Sequence, residues 1–255
     1  MSAAVNAKAF AAAPAAADAA RLVECLASLE EKPLGRRLAV LGLDPRLALS
    51  VAPARRQRDG IFRYARSTMA GTELPFLGAA EARGLFSDER KRRRDSLLEG
   101  FSLLILADEA RAACLLSAVQ TLVCCVTLDS SALPFIYPFC EAMREMKRHI
   151  PIELIVLGEA RLEKAAEYFA AQKKELAALD DQVELNFCGS VHFEPEEKEL
   201  ADSLGLPFLE LFPGRSTHGE AKALGRRLFK RDLTEEQLEP ALFAERMLDC
   251  LEAAN

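Results

Sequence analysis

Residues 121–157 read TLVCCVTLDSSALPFIYPFCEAMREMKRHIPIELIVL, and two short apolar runs in them enclose a longer amphipathic segment. The runs 121–127 and 152–157 are apolar on both faces, which is typical of strands buried between two layers of helices. Residues 138–149, between the runs, predict a helix. A strand, a helix and a second strand in this order predict a βαβ unit and a parallel strand pair.

The same alternation of apolar runs and amphipathic stretches extends in both directions along the chain. Further strands are predicted at 38–43, 101–107, 183–187 and, as a sixth candidate, 207–212. Further helices are predicted at 16–31, 87–99, 162–179, 195–203, 219–230 and 235–253. The least regular part, residues 46–84, is interpreted as a long surface excursion between two strands. The sequence therefore predicts an α/β fold with a doubly wound, mainly parallel sheet and helices on both faces.

Composition excludes several classes of protein. No apolar run is long enough to span a bilayer, and the alanine-rich N-terminus lacks the pattern of a secretory signal. The seven cysteines are scattered without a C-x-x-C pair, which indicates reduced, buried thiols and no zinc framework. A net charge of −6 argues against non-specific nucleic-acid binding. We therefore expect a cytoplasmic protein that binds no nucleic acid.

Several motifs lie where the predicted strands end, at the edge of the sheet where ligands bind in such folds. Residues 126–133 read VTLDSSAL, residues 187–195 read FCGSVHFEP, and residues 206–213 read LPFLELFP. In this order and spacing they resemble the MinD/ParA group of P-loop ATPases, and within it the flagellar-number regulators FlhG and YlxH. The resemblance covers the chain to about residue 230 and implies one P-loop-type domain at 1–232, followed by an acidic amphipathic helix at 233–255.

The phosphate loop of that family reads K-G-G-x-G-K-[ST], and the matching residues 8–14 here read KAFAAAP. Lys8 stands at the signature lysine, Ala13 replaces the second lysine, and Pro14 replaces the hydroxyl that holds Mg²⁺. Cβ atoms and a missing N–H would obstruct a phosphate cradle. The resemblance thus implies a degenerate, non-binding loop comprising Lys8, Ala9, Phe10, Ala12, Ala13 and Pro14, although the segment also suits a tail or an ordinary helix.

The ends of the other predicted strands also lack residues that the family has at those positions. At the next strand end the family has two aspartates, and this chain has Gly42 and Asp44 in their places. At the third strand end the family has one aspartate, and this chain has Ala107 there, followed by Asp108. The family's adenine-reading asparagine is replaced by Leu157-Gly158. Lys8, Asp44 and Asp108 remain as weak catalytic candidates. Asp44 before Pro45 also suits a turn, and Lys8 also suits a surface lysine.

The remaining polar residues favour structural roles. Ser216 and Thr217 suit a helix N-cap better than a nucleophile, because the G-x-S-x-G spacing is missing. His149 and His192 have no metal-ligand pattern around them, so no metal site is predicted. The basic run Lys91–Arg94 is flanked by acids and suits a solvated helix face or a patch for an acidic partner.

The last predicted helix, from Glu235, is acidic, so anionic lipid would repel it and direct membrane contact is not expected. It is expected to dock on its own core or on a partner. The leading hypothesis is a non-catalytic regulator or scaffold in flagellar placement or number, without cofactor, acting through flagellar or polar-assembly protein partners as a homodimer or heterodimer. One rival is an active ATPase that uses ATP and Mg²⁺. Another is a polar-localisation factor for pili or secretion.

Overall fold

Within the residues that the structure describes, the sheet has nine strands, seven of which are parallel. Their order across the sheet is β3-β4-β5-β2-β6-β1-β7-β8-β9, with β3 and β4 added antiparallel at one edge. The strands are β1 Ala7–Ala12, β2 Leu38–Gly42, β3 Arg55–Arg56, β4 Phe62–Ala65, β5 Glu73–Gly78, β6 Ser102–Ala107, β7 Thr121–Val126, β8 Ile152–Leu157 and β9 Leu185–Val191.

The helices follow the strands in alternation through most of the chain. They are α1 Ala16–Ser28, α2 Ala79–Phe86, α3 Glu109–Leu115, α4 Leu133–Glu145, α5 Leu162–Leu179, α6 Pro195–Leu204, α7 Phe208–Leu211, α8 Ser216–Lys230 and α9 Pro240–Ala253. This computed structural model describes residues 5, 7–12, 16–28, 38–42, 55–56, 62–65, 73–87, 98, 102–107, 109–180, 182–204, 208–230 and 239–253.

Two apolar cores lie on opposite faces of the sheet, because successive side chains of a strand point to opposite sides. In β1, Ala9 and Ala11 face the core covered by α2, α3, α4 and α9, whereas Phe10 faces the core covered by α1, α6, α7 and α8. The strands β7 and β8 are buried along their whole length. The predicted doubly wound α/β fold with helices on both faces is confirmed.

Two predictions about strands are wrong. Residues 207–212 were expected to form a strand, but α7 is a short helix, whose Phe208 N–H donates to Glu24 Oε1 at 3.1 Å. So short an apolar run shows no periodicity that would separate helix from strand. Residues 46–84 were expected to be a surface excursion, yet they contain β3, β4, β5 and α2, and β5 pairs with β2 inside the sheet.

Helix boundaries also differ from those predicted. Helix α4 begins five residues earlier than expected and keeps Pro138 in its interior, whereas α3 was not predicted at all. Of the helix predicted at 87–99, the described residues are Ser87, a bend after α2, and Leu98, which is helical. The basic run Lys91–Arg94 lies outside the described residues.

Candidate functional site

The carboxyl ends of β1, β6 and β7 meet at the centre of the sheet, which is where a doubly wound fold binds its ligand. Register fixes the neighbours: Ala11 of β1 pairs with Ala107 of β6, and Ala12 pairs with Cys125 of β7. Connections from β1 lead to one side of the sheet and those from β6 lead to the other. The topological switch point therefore lies at the end of β1, and the segment after Ala12 is the candidate ligand loop.

This candidate loop is short. Strand β1 ends at Ala12 and α1 begins at Ala16, so residues 13–15 connect them, and they lie outside the described residues. Of residues 8–14, which the resemblance matches to the phosphate loop, Lys8, Ala9, Phe10 and Ala12 lie in strand β1. A phosphate loop runs to about eight residues and depends on glycine. The printed sequence offers Ala13, Pro14 and Ala15 in its place.

Lys8 is a core residue and not a surface lysine. Its side chain is 0% exposed, its Nζ lies 3.4 Å from Thr121 Oγ1, and the same Nζ lies 5.6 Å from the centroid of the Phe229 ring. Because a strand rises about 3.3 Å per residue, Lys8 lies ~13 Å behind the end of β1. The structure therefore does not bring Lys8 to the ligand edge of the sheet.

Charge at the start of α1 opposes an anion. Asp18 lies in the first turn of this helix, where the exposed N–H groups of a phosphate-binding helix would face the phosphates. Lys198 Nζ of α6 lies 3.1 and 3.2 Å from the two carboxylate oxygens of Asp18. A carboxylate that is already paired occupies the helix end, so the macrodipole of α1 is complemented from within the chain.

At the ends of β8 and β9, polar groups satisfy one another. The backbone at Gly158 has φ +83° and its N–H donates to Val191 O at 2.9 Å. The backbone N–H of His192 donates to Glu220 Oε2 at 3.0 Å, and its carbonyl accepts the Thr217 hydroxyl at 2.8 Å. The imidazole Nδ1 lies 3.1 Å from Gly158 O. His192 and Thr217 thus connect the end of β9 to α8 and to the residue after β8.

The loop after β7 is fixed in the same way. Gln172 Oε1 of α5 accepts the Ala132 N–H at 2.7 Å and the Ser131 hydroxyl at 3.0 Å. Tyr168 donates its hydroxyl to Ser130 O at 2.6 Å. The serines that follow β7 therefore anchor α5 to the sheet.

The remaining catalytic candidates, Asp44 and Asp108, lie outside the described residues. Ala107, at the end of β6, is fully buried. Along the chain, the two aspartates follow strands β2 and β6, which are neighbours in the sheet. Asp44 and Asp108 therefore remain predictions.

The thiols of Cys125, in β7, and Cys140, in α4, are buried. Burial raises the pKa of Cys125 to about 12 and, as the largest of several causes, raises that of Cys140 to about 11. These thiols therefore remain protonated at neutral pH. Across the part of the chain that the structure describes, no three His, Cys, Asp or Glu side chains are grouped to hold a metal ion.

A cavity of about 150 Å³ lies at the opposite edge of the sheet, where β8 and β9 begin. Cys140, His149 and Val183 line it, and an ion pair between Arg144 and Asp180 at 2.5 Å borders it. The hydrogen bond from Arg144 lowers the pKa of Asp180. Pockets for drug-sized ligands measure about 300–1,000 Å³, so this cavity is smaller than a typical ligand pocket.

Sequence reasoning missed the position of β1 and therefore the place of Lys8. A signal was available, because Ala7, Ala9 and Ala11 alternate with larger side chains in the pattern of a strand. Alanine has a low strand propensity, which hid this alternation. The role of Asp18 depends on a contact with Lys198, 180 residues away, and no local pattern shows it.

Strand β1 lies between β6 and β7 in the parallel part of the sheet, and the fold of the chain is similar to that of a ParA-family ATPase. The chain is similar to a ParA family ATPase from Chlorobium tepidum TLS, with 11% identity over 87% of this chain and 99% of that chain and a TM-score of 0.53. It is also similar to a putative plasmid partition protein from Borrelia burgdorferi B31 bound to AMPPNP, with 12% identity, 89% and 99% coverage and a TM-score of 0.53.

At these identities the likeness concerns the fold alone. No family model and no curated protein matches the sequence. Within the described residues, no helix has the length and apolar character needed to cross a membrane.

Proposed function

We propose that this protein is a non-catalytic relative of the ParA-type ATPases that binds protein partners without using ATP. The observation that carries this proposal is the pairing of a buried Lys8 with a connection of residues 13–15 between β1 and α1. A lysine ~13 Å behind the strand end cannot neutralise a phosphate there, given the rise of a strand. Without a long glycine-containing loop, backbone N–H groups cannot surround a phosphate.

Electrostatics support the same proposal. Asp18 places a carboxylate in the first turn of α1, and Ala107 and Leu157 end their strands with apolar side chains. Binding a triphosphate would bring several negative charges towards Asp18, and Lys198, the cation beside that carboxylate, is already paired with it. Repulsion between like charges in a partly desolvated site would oppose the binding.

The biological setting comes from the resemblance of the sequence motifs to FlhG and YlxH. We infer a cytoplasmic regulator or scaffold in flagellar placement or number, with flagellar or polar-assembly proteins as partners. ATP would not control its assembly, so a homodimer or heterodimer would persist without nucleotide. A polar-localisation factor for pili or secretion is the alternative setting, and the genes adjacent to this one would separate the two.

The direct test is a calorimetric titration of the purified protein with Mg-ATP and with Mg-ADP. We expect no binding heat at micromolar to millimolar nucleotide. Asp18→Asn provides a matched variant: removing the charge should not create binding, because the loop is also missing its glycines. Micromolar binding by the unaltered protein would overturn the proposal.

One observation favours an ATPase as a second candidate function. Asp44 and Asp108 follow β2 and β6, whose ends lie side by side in register at Gly42 and Leu106. Aspartates at this edge could hold Mg²⁺. ATP turnover that is abolished by Asp108→Asn would support that candidate.

A further inference from the structure

Helix α6 is held against the molecule by the buried Ala201 and by charged side chains, of which Asp202 is itself 67% exposed. Ala201 is buried, Asp202 accepts a hydrogen bond from Arg21 at 2.8 Å, and Lys198 pairs with Asp18 at 3.1 Å. Glu197 pairs with Arg215 at 2.7 Å, in the turn before α8. These three ion pairs fix the rotation of α6 about its own axis, which determines the side that faces solvent.

The outward side carries five residues, which we call the α6 stripe. They are Glu196, Glu199, Leu200, Ser203 and Leu204, and all five are exposed. Their spacing of three and four residues places them on one face over two turns. Leu200 is 47% exposed and Leu204 is 53% exposed. Single exposed leucines are ordinary on protein surfaces, but two on adjacent turns of one face form a small apolar strip.

The acidic residues of the α6 stripe are available to a partner. Within the described residues, neither Glu196 nor Glu199 forms an ion pair, whereas Glu197, Lys198 and Asp202 all do. The chain as a whole has a net charge of −6, so its field attracts basic molecules over a distance of about one Debye length, ~8–10 Å.

We propose that the α6 stripe docks a basic amphipathic helix of a protein partner. The two leucines would pack against an apolar seam of the partner helix, and its lysines or arginines would pair with Glu196 and Glu199. This inference rests on the proposed role in protein binding, because it specifies the chemistry of the partner. Since α6 is already fixed by its ion pairs, little side-chain and backbone freedom is lost on docking.

The negative charge of the α6 stripe favours a basic helix over the alternative occupants. An anionic lipid surface would meet Glu196 and Glu199 and be repelled. An acidic partner would be repelled in the same way. A second copy of the chain could reach the stripe with its own basic run, and the test below identifies that outcome.

The test uses a fluorescent synthetic helix of about 18 residues with leucine at i, i+3, i+4 and i+7 and lysine elsewhere. A second peptide replaces the lysines by glutamate. In an anisotropy titration of the full-length protein, we expect the basic peptide to bind at least about tenfold more tightly than the acidic one, with affinity falling as salt rises.

Two pairs of variants locate the binding. The double variant Leu200→Ser with Leu204→Ser should bind the basic peptide at least about tenfold more weakly, because both apolar contacts are lost. The matched control, Leu162→Ser with Leu179→Ser, changes two exposed leucines on α5 and should leave binding unchanged. Glu196→Gln with Glu199→Gln should weaken binding and flatten its salt dependence, whereas Glu163→Gln with Glu167→Gln on α5 should do neither.

Several results would overturn the inference. Equal binding of the two peptides, equal effects of the α5 and α6 variants, or unchanged binding by the α6 variants would each exclude this site. If the unaltered protein is a dimer by sedimentation and the α6 leucine variants are monomers, the occupant is a second copy and the proposal is wrong. Where the double variant does not fold, each single leucine variant gives the same decision.

The outcome is separate from that of the nucleotide titration. Failure of the peptide to bind, together with no binding of Mg-ATP, would remove the α6 site and leave the non-catalytic proposal standing. Binding of Mg-ATP would remove that proposal whatever the peptide does.

Discussion

Lys8 places an ammonium group in the core of the sheet, and this arrangement needs compensation. Charged groups are rarely buried unless they are hydrogen-bonded or paired. Here Thr121 Oγ1 lies 3.4 Å from Nζ, and the face of Phe229 lies 5.6 Å away, where a desolvated cation gains from the ring quadrupole. The role of Lys8 is therefore structural.

This role predicts the effect of Lys8→Ala. The substitution empties a fully buried volume and removes the donor to Thr121, so it should lower the free energy of unfolding by about 2–4 kcal/mol. Urea denaturation of both proteins measures this difference. The control is Lys164→Ala, an exposed lysine on α5 whose removal should cost less than about 0.5 kcal/mol. Equal stabilities for Lys8→Ala and the unaltered protein would contradict the buried position.

At the scale of elements, strand β9 and helix α8 come into unusually close contact at Gly189. The strand register shifts between Leu154 and Ile155 of β8, opposite this residue, and Gly189 has φ +144°. A Cβ at this position would lie 2.9 Å from Leu224 Cδ2 of α8. Glycine is needed here both for its backbone conformation and for the close approach of the helix.

Gly189→Ala should therefore destabilise the protein by about 1–3 kcal/mol, from backbone strain and overpacking together. Gly219→Ala is the matched control within α8, because nothing lies within 4 Å of the added Cβ. Alanine there should raise stability by about 0.5–1 kcal/mol through helix propensity. Thermal unfolding followed by circular dichroism compares the two. A destabilised Gly219→Ala or an unaffected Gly189→Ala would be inconsistent with this packing.

The elements differ in how well the sequence predicts them. The strands β7 and β8 are found within one residue, because uninterrupted apolar runs bounded by polar residues specify buried strands. Strand β1 is missed because alanine favours helices, and only its pairing with β6 and β7 makes it a strand. Strand β5 is missed because Pro75 in its interior is typical of a turn or an edge.

The sequence shows which family residues are replaced at the candidate site, but it does not show the geometry of the site. Proline and alanine in place of glycine and lysine are visible in the printed sequence. The location of Lys8 depends on where β1 ends relative to the motif, and tertiary pairing of strands sets that end. The ion pair that occupies the start of α1 joins Asp18 to Lys198, and a contact across 180 residues has no local signal.

For the whole molecule, helix α9 ties distant parts of the chain together. Phe243 packs edge-on against Phe86 of α2, with ring centroids 5.7 Å apart. Arg83 of α2 donates to Leu251 O at 2.8 Å, and Arg246 donates to Ser117 O after α3. The apolar residues of α9 belong to the same core as β1, β7 and β8. This helix should therefore unfold together with the sheet.

Phe243→Ala tests that cooperativity. It should lower the free energy of unfolding by about 3–5 kcal/mol, and the protein should still unfold in one transition by both circular dichroism and tyrosine fluorescence. Leu242→Ala, at a neighbouring position that is 39% exposed, should change stability by about 0.5 kcal/mol or less. Two separate transitions in the unaltered protein would show that α9 folds independently.

The short connection between β1 and α1 also affects which new functions could evolve from this sequence. Single substitutions can exchange an alanine for a glycine or a proline for a threonine, but they cannot lengthen a segment whose ends are fixed by a central strand and a packed helix. Under the proposed function, a phosphate loop in this chain would require an insertion between β1 and α1 and a lysine other than the buried Lys8. Because the insertion would disturb a central strand and a packed helix, we expect each step towards such a loop to lower the free energy of unfolding.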